Sequence, residues 1–345
     1  MKYKMISPSN SLTEAAYKNN LPLYTVFELT HRCNLKCLHC YLIKQNKSEL
    51  NTKEVKTILD KLARAGCLYL CFTGGEIFLR KDLLELCAYA RKLNFDLRLF
   101  SNGTLITKEH AKMLSEIGLS AVEISLYGRK KSHEQITAKN NSFKKTLVAL
   151  KLLKKYKVPV RIKAPLLNIN FNDYKWLIKF AKKNKFEYRL DPVLAPQNNG
   201  DCTIQRFQLS AEKLKTIYTD KKLNKYLINQ YEVSTDVSLQ DVPDLFCNAG
   251  KVFAGISPQG IVYPCLQLLY PLGNLKNQSF RNIWHKSKKA KRLRKYSTKD
   301  CKECLKCSNI KACRRCPGIA LLETGKITGK SKTACKIAEI QSKIQ

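Results

Sequence analysis

Between residues 24 and 190, short β-rich apolar runs alternate with longer segments whose apolar residues recur every three or four positions. Tyr24 to Leu29, Leu68 to Phe72, Asp96 to Phe100, Ala121 to Leu126, Val158 to Lys163 and Phe186 to Leu190 read as strands. The segments between them read as helices. Thr52 precedes Val55, Ile58, Leu59, Leu62 and Ala65 with Gly66 as a stop, and Thr107 precedes Met113, Leu114 and Ile117 with Gly118 closing. Asp82 and Ser142 are further expected N-caps, and Ser210 is the expected cap of a basic helix over 209 to 232. Strands alternating with amphipathic helices predict a parallel α/β architecture, in which functional groups gather at the C-terminal ends of the strands.

Composition narrows the class. The chain has 345 residues, 44% of them hydrophobic, enough for one large domain and a smaller one. It contains no apolar run of about 18 residues and no apolar signal core near the N-terminus, so a cytoplasmic protein with no membrane contact is expected. The formal charge of +36 is spread over helix-like segments, which predicts a solvated basic surface rather than a nucleic-acid interface. The densest basic run, 286 to 295, is where an acidic protein or peptide would dock. Fifteen cysteines, an odd number, in a long chain without a signal core point to metal ligation rather than disulfides.

The first strand runs into Thr30-His31-Arg32-Cys33-Asn34-Leu35-Lys36-Cys37-Leu38-His39-Cys40-Tyr41, a C-x3-C-x2-C loop. Three thiolates from one loop leave a coordination position open on whatever metal they hold. The second strand ends in Thr73-Gly74-Gly75-Glu76. On these two linked motifs, residues 22 to 200 resemble the radical S-adenosylmethionine (SAM) enzymes, and the resemblance implies a partial (β/α)6 barrel. It further implies a 4Fe-4S cluster on Cys33, Cys37 and Cys40, whose open iron chelates SAM, with Gly74, Gly75 and Glu76 holding the methionyl ammonium. Asn102 and Ser125, in the turns after strands three and four, are candidate SAM contacts by the same resemblance; their alternative is ordinary turn chemistry. Tyr127 stands where many relatives carry Asp, and the run His133 to Thr137 lacks an Arg that they carry nearby.

Cys247, Cys265, Cys301, Cys304, Cys307, Cys313, Cys316 and Cys335 crowd the C-terminal hundred residues. Gly260 to Cys265 fits G-x4-C, and Cys304, Cys307 and Cys313 fit C-x2-C-x5-C, a spacing that resembles the SPASM-type auxiliary-cluster domain. That resemblance implies one complete cluster on Cys304, Cys307, Cys313 and Cys335. A second would sit on Cys247, Cys265 and Cys316 with Cys301, a substrate atom or nothing as the fourth ligand. A zinc module is the competing interpretation, because paired C-x2-C also marks zinc ribbons. The expected organisation is an N-terminal extension (1–21), the barrel (22–200), a bridging helical segment (201–244) and a small cysteine-rich cluster domain (245–345).

The implied activity is reductive cleavage of SAM to a 5'-deoxyadenosyl radical that abstracts hydrogen from a substrate. Radical enzymes with this auxiliary domain mostly modify peptides or proteins, so maturation of a ribosomally made peptide leads, with a ferredoxin or flavodoxin as electron donor. Alternatives are synthesis of a small cofactor of haem or quinone type, and a non-catalytic metal protein that binds nucleic acid. Sulfatase maturation lacks its expected Asp, because Leu266 and Gln267 follow Cys265. No general base is assigned: His39 is expected to pack near adenine, and His31, His133 and Glu123 have no role. Tyr127, Tyr188, Arg189 and Asp191 at strand ends are expected to face the substrate pocket.

Overall fold

A computed structural model describes residues 10–43, 48–220, 223 and 245–344. Six parallel strands, β1 (Tyr24–Thr30), β2 (Tyr69–Gly74), β3 (Asp96–Ser101), β4 (Ala121–Ser125), β5 (Val160–Pro165) and β6 (Glu187–Asp191), lie side by side in chain order. All six match the apolar runs of the sequence to within two residues. The helices α2 (Thr52–Arg64), α3 (Leu83–Lys92), α4 (Lys108–Ile117), α6 (Ser142–Lys155) and α7 (Tyr174–Asn184) complete the crossovers, with the short α5 (Lys130–Thr137) before α6 and α1 (Asn10–Asn19) ahead of β1. Parallel strands require such connections, and an open α/β sheet curved into a partial barrel results.

The outer face of the sheet is apolar and covered. Phe27, Phe72, Leu97, Leu99, Ile124 and Ile162 are fully buried, and they share one core with Leu59, Leu62, Leu86, Leu114, Leu150 and Leu177 of the helices. The opposite register of the same strands carries Glu28, Cys71, Arg98, Glu123, Arg161, Lys163 and Arg189. Because strand side chains alternate, these residues share the inner face of the partial barrel, a polar interior held by an apolar shell.

Helix starts differ from expectation in instructive ways. Helix α2 is capped by Asn51, not Thr52: Glu54 N donates to Asn51 Oδ1 at 2.9 Å and Asn51 N to Glu54 Oε2 at 2.8 Å, a reciprocal capping box. Thr52 instead donates to Asp82 Oδ2 at 2.8 Å. Asp82 precedes α3, yet its carboxylate makes no cap bond there and is taken by Arg80. Asn141, in the left-handed region, precedes α6, and the Ser142 hydroxyl pairs with Thr137 Oγ1 at 2.8 Å. Thr107 and Gly118 bound α4 as expected, and Ser210 caps α8 (Ala211–Thr219). Of the basic helix expected over 209 to 232, residues 221, 222 and 224–232 lie outside the described residues.

The sheet continues past β1. Strand β7 (Phe253–Ile256) pairs parallel to β1, and β8 (Ile261–Tyr263) and β9 (Gly273–Asn274) follow antiparallel. Helices α9 (Lys288–Lys295), α10 (Lys302–Leu305), α11 (Pro317–Thr324) and α12 (Lys332–Ser342) complete the C-terminal part. The first and second cysteine fields are thereby carried on neighbouring strands.

Buried Arg80 clamps the end of β1 to the segments ahead of α2 and α3. It donates to Leu29 O at 3.1 Å and Leu50 O at 2.9 Å, and forms a two-pronged ion pair with Asp82 at 2.9 and 2.6 Å. Replacing Arg80 by Met should lower stability by about 3 kcal/mol in urea titration, because it strands a half-buried carboxylate and two carbonyls; an unchanged midpoint would show that the clamp is dispensable.

Candidate metal centres and cofactor site

The loop after β1 is braced by backbone contacts from three sides. Gly75 N donates to Thr30 O and Glu76 N to Arg32 O, both at 2.8 Å; Lys36 N and Leu38 N donate to Thr137 O and Ile136 O; Asn198 N donates to Tyr41 O at 2.9 Å. The two glycines are required by proximity: a Cβ on Gly74 would lie 2.1 Å from Thr30 O, and one on Gly75 2.2 Å from Arg32 O. The Gly-Gly-Glu segment therefore zips the end of β2 onto the root of the cysteine loop.

Within that loop the three thiols are close enough to influence one another's ionisation. Burial raises the pKa of Cys33, Cys37 and Cys40, that of Cys37 to about 12. Cys40 raises Cys33, while Cys33 and Cys40 raise Cys37. Carboxylates flank them: Glu76 raises Cys33 and Glu28 raises Cys40. In a chain of net charge +36 this spot concentrates five ionisable acids, and their joint ionisation calls for a cationic partner.

Glu76 is fully buried, and burial raises its pKa against the bonds that favour its charge. Oε1 accepts from Ser101 Oγ at 2.8 Å and Phe78 N at 3.1 Å, and Oε2 accepts from Asn102 N at 2.8 Å. Each oxygen has a donor already, and Oε2 retains acceptor capacity for an ammonium. Asn102 reaches the loop itself, with Nδ2 2.9 Å from Asn34 Oδ1 and 3.9 Å from Cys33 Sγ. The hydroxyl of Tyr127 faces Cys37 and Ser125. Gly74, Gly75, Glu76, Asn102 and Ser125 thus border the loop from β2, β3 and β4.

Tyr127 does not open toward a substrate pocket, as its position at a strand end suggested. It is buried, its ring packs edge-on against His39 at 4.9 Å and stacks on His133 at 5.4 Å. Burial lowers the pKa of His39 and of His133 to about 4. His133 Nδ1 accepts from Tyr127 N at 3.2 Å, a bond that protonation at that nitrogen would break. Glu123 is paired with Arg161 at 2.9 Å, and His31 bonds Glu28 at 3.1 Å.

In the C-terminal field, mutual influence divides seven thiols into two sets. Cys247 feels Cys316 and Cys265, and Cys265 feels Cys316. Separately, Cys313 feels Cys335, Cys304 and Cys307, and Cys304 and Cys307 also act on Cys335. Burial is the largest influence throughout, raising Cys247 to about 12 and Cys313 to about 11. Close glycine packing draws the first set together: a Cβ on Gly318 would lie 2.3 Å from Gln267 O. Cys301 is fully buried, and its carbonyl accepts from Cys304 N at 2.8 Å; Cys67, Cys71 and Cys87 are buried in the barrel.

Three residues that the sequence did not single out connect these sets. Buried Tyr41 donates to Glu28 Oε1 at 3.1 Å and is influenced by both Cys40 and Cys265, so it stands between the first loop and the C-terminal field. Arg315 lowers the pKa of both Cys304 and Cys316, and so lies between the two C-terminal sets. It is buried, donating to Gly329 O at 2.8 and 3.1 Å and to Ile327 O. A buried acid at strand position 28 and an Arg inside Cys313-to-Cys316 were the available signals.

Among the described residues no three His, Cys, Asp or Glu side chains close around a single ion. Sets of three or four soft thiols, near enough to repel yet not clasping one ion, suit a multi-iron cluster, which spreads its ligands over several metal atoms.

Fold and thiol sets together describe a cysteine-rich protein on a partial α/β barrel. Residues 27–181 match the radical SAM superfamily, and residues 247–317 match SPASM, an iron-sulfur cluster-binding domain. The chain is therefore a radical SAM superfamily enzyme with a SPASM domain, and these domains imply 4Fe-4S clusters and SAM. It is 32% identical over 194 residues to Fe-coproporphyrin III synthase of Methanosarcina barkeri, covering 52% of this chain and 49%, about half, of that protein. It is 27% identical over 299 residues to an AdoMet-dependent heme synthase of the same organism (80% of this chain, 85% of that one). It is 26% identical over 268 residues to the sporulation killing factor maturation protein SkfB of Bacillus subtilis (76% and 65%). In fold it resembles Streptococcus suis SuiB bound to S-adenosylmethionine, with TM-score 0.72, 18% identity, 96% of this chain and 84% of that one. The same protein bound to its precursor peptide SuiA gives 0.71. No helix among the described residues is long and apolar enough to cross a membrane.

Two outcomes check the site. Gly74→Ala should disconnect the loop from β2 and lower iron retained by the first set, with auxiliary iron unchanged by elemental analysis; full retention would contradict the zipper. Second, His133 is charged below about 6.5 when unfolded but only below about 4 when folded. Its contribution is whole above pH 6.5 and is lost as pH falls toward 4, so His133→Gln should flatten stability over that window in pH-dependent denaturation.

Proposed function

We propose that Cys33, Cys37 and Cys40 hold a 4Fe-4S cluster, that Gly74, Gly75, Glu76, Asn102 and Ser125 form the SAM side of the site, and that two auxiliary clusters rest on Cys247, Cys265 and Cys316 and on Cys304, Cys307, Cys313 and Cys335. In this reading residues 22–200 are the barrel and 245–345 the auxiliary-cluster domain. The observation that carries it is the division of ten thiols into sets of three, three and four, each defined by its members' influence on one another.

A 4Fe-4S cluster held by Cys33, Cys37 and Cys40 would supply the one-electron reduction of the SAM sulfonium that yields methionine and a hydrogen-abstracting 5'-deoxyadenosyl group. The chain's own residues hold and orient. Glu76 offers a buried carboxylate to an ammonium; Asn102 fixes the loop beside Cys33; Tyr127 and His39 exclude water behind Cys37. Tyr41 lies near both Cys40 and Cys265 and Arg315 near both Cys304 and Cys316, and auxiliary clusters on those thiols would supply acceptors for an electron left on the substrate.

For the substrate we infer a ribosomally made peptide or protein, supported by the likeness to SkfB, a maturation protein. A second reading, a haem-type small cofactor, is favoured by the longer alignment with the heme synthase. An acidic ferredoxin or flavodoxin suits the basic helix α9, where Arg294 is tied to Gly250 O at 2.7 Å.

Anaerobic reconstitution should bring roughly twelve irons per chain and, with dithionite and SAM, yield 5'-deoxyadenosine. The Cys33→Ala/Cys37→Ala/Cys40→Ala variant should retain roughly eight irons and yield none. Unchanged SAM cleavage in that variant would overturn the assignment. Deuterium transfer into deoxyadenosine from a labelled peptide, or from a labelled porphyrin carboxylate, separates the two substrate classes.

A further inference from the structure

The inner face of the barrel carries two neighbouring cations, Lys163 and Arg189, with hydrogen-bonding capacity to spare. Ser125, Lys163 and Arg189 form one cross-strand row, since Ser125 pairs with Lys163 across β4–β5 and Lys163 with Arg189 across β5–β6. The row below is neutralised internally: Arg161 bonds Glu123 at 2.9 Å and Glu187 at 2.6 Å. Lys163 lies 4.0 Å from Glu123 Oε2, too far for a hydrogen bond, and also feels the Asp191 carboxylate; that Glu123 oxygen has no hydrogen-bond partner among the described residues. Arg189 Nε is buried and likewise has no partner among the described residues.

The position of the two cations is costly without a ligand. Burial lowers the Lys163 pKa, Glu123 opposes that shift, and Arg189 adds to it by like charge. The ammonium lies 3.9 Å from the Phe100 ring centroid, yet its side chain keeps 34% of its accessible surface, so it borders open space inside the barrel. The row begins at Ser125, which faces the Tyr127 hydroxyl beside Cys37. An anion bound there lies next to the candidate radical site, and a planar guanidinium beside an ammonium matches a carboxylate's two oxygens.

We propose that Lys163 and Arg189 receive a carboxylate of the substrate, fixing a carboxylate-bearing molecule in the barrel beside the cysteine loop. This rests on the radical SAM reading of the site only for its placement near the chemistry. Both substrate classes above are narrowed by it, to a peptide presenting an acidic side chain or terminus and to a cofactor precursor bearing carboxylates. Lys163 and Arg189 act in it as specificity-determining residues and perform no bond-breaking step.

The test uses the full reconstituted chain and small probes. Arg189 is modified with phenylglyoxal, and the rate is read by mass spectrometry with glutarate, its neutral diamide, sulfate or SAM present. With glutarate at about ten times its Kd, modification of Arg189 should slow by about tenfold, as the fraction of sites left free requires, while the diamide, sulfate and SAM leave it unchanged. Exposed Arg129 serves as the internal control. Lys163→Gln should remove the protection, and Lys163→Arg should restore it, which a merely structural lysine would not do. Equal rates with glutarate and the diamide overturn the proposal; protection by sulfate makes the pair a general anion site, and protection by SAM assigns it to the cofactor's own carboxylate, and either result overturns it as well. If glutarate protects but no deoxyadenosine forms, the radical reading fails and the carboxylate site stands; if deoxyadenosine forms without protection, only the carboxylate site fails.

Discussion

Crowding acidic groups where they cannot all ionise unaided is the constraint around which this protein is built. Cys33, Cys37 and Cys40 oppose one another's ionisation, and Glu28 and Glu76 add to the opposition from either side. Burial first, and then the charges of Cys40 and Cys33, hold Cys37 near 12. Such a site is unfavourable in the empty chain and favourable once iron or a sulfonium and ammonium arrive, so binding energy and local order are coupled there. The two C-terminal thiol sets repeat the same logic without flanking zippers from β2, and Arg315 supplies a fixed positive charge between them.

The barrel converts this local demand into geometry. Gly74 and Gly75 let the backbone of β2 touch that of the cysteine loop, and Arg80 ties the end of β1 to Leu50. Pairing of β7 with β1 then brings Cys265, past β8, close to Tyr41 at the far end of the loop. Cofactor side, auxiliary side and inner face of the barrel thus converge on one strand. The apolar outer shell can hold a polar interior because alternate strand residues divide the two tasks.

The parallel core was legible because β1 to β6 are apolar runs bounded by helix caps and turn residues. The start of α2 was misplaced because Asn51 and Thr52 are both good caps, and only Glu54, three residues after Asn51, distinguishes them. Strands β7 to β9 left little signal: they are four, three and two residues long, contain Gly255 and Gly273, and exist through pairing with distant β1. The thiol sets were suggested by cysteine spacing and family resemblance, while Tyr41, Glu28 and Arg315 acquire meaning only once folding brings the sets together. Tyr127 misled because a strand-end tyrosine carries no mark of which way it packs.

Electron paramagnetic resonance of the dithionite-reduced, reconstituted chain, recorded with and without SAM, tests the central claim most directly. The account predicts overlapping 4Fe-4S signals, of which one set shifts when SAM is added, because Glu76 and Asn102 stand beside the first thiol set alone. Signals indifferent to SAM, or none from iron-sulfur clusters at all, would contradict it.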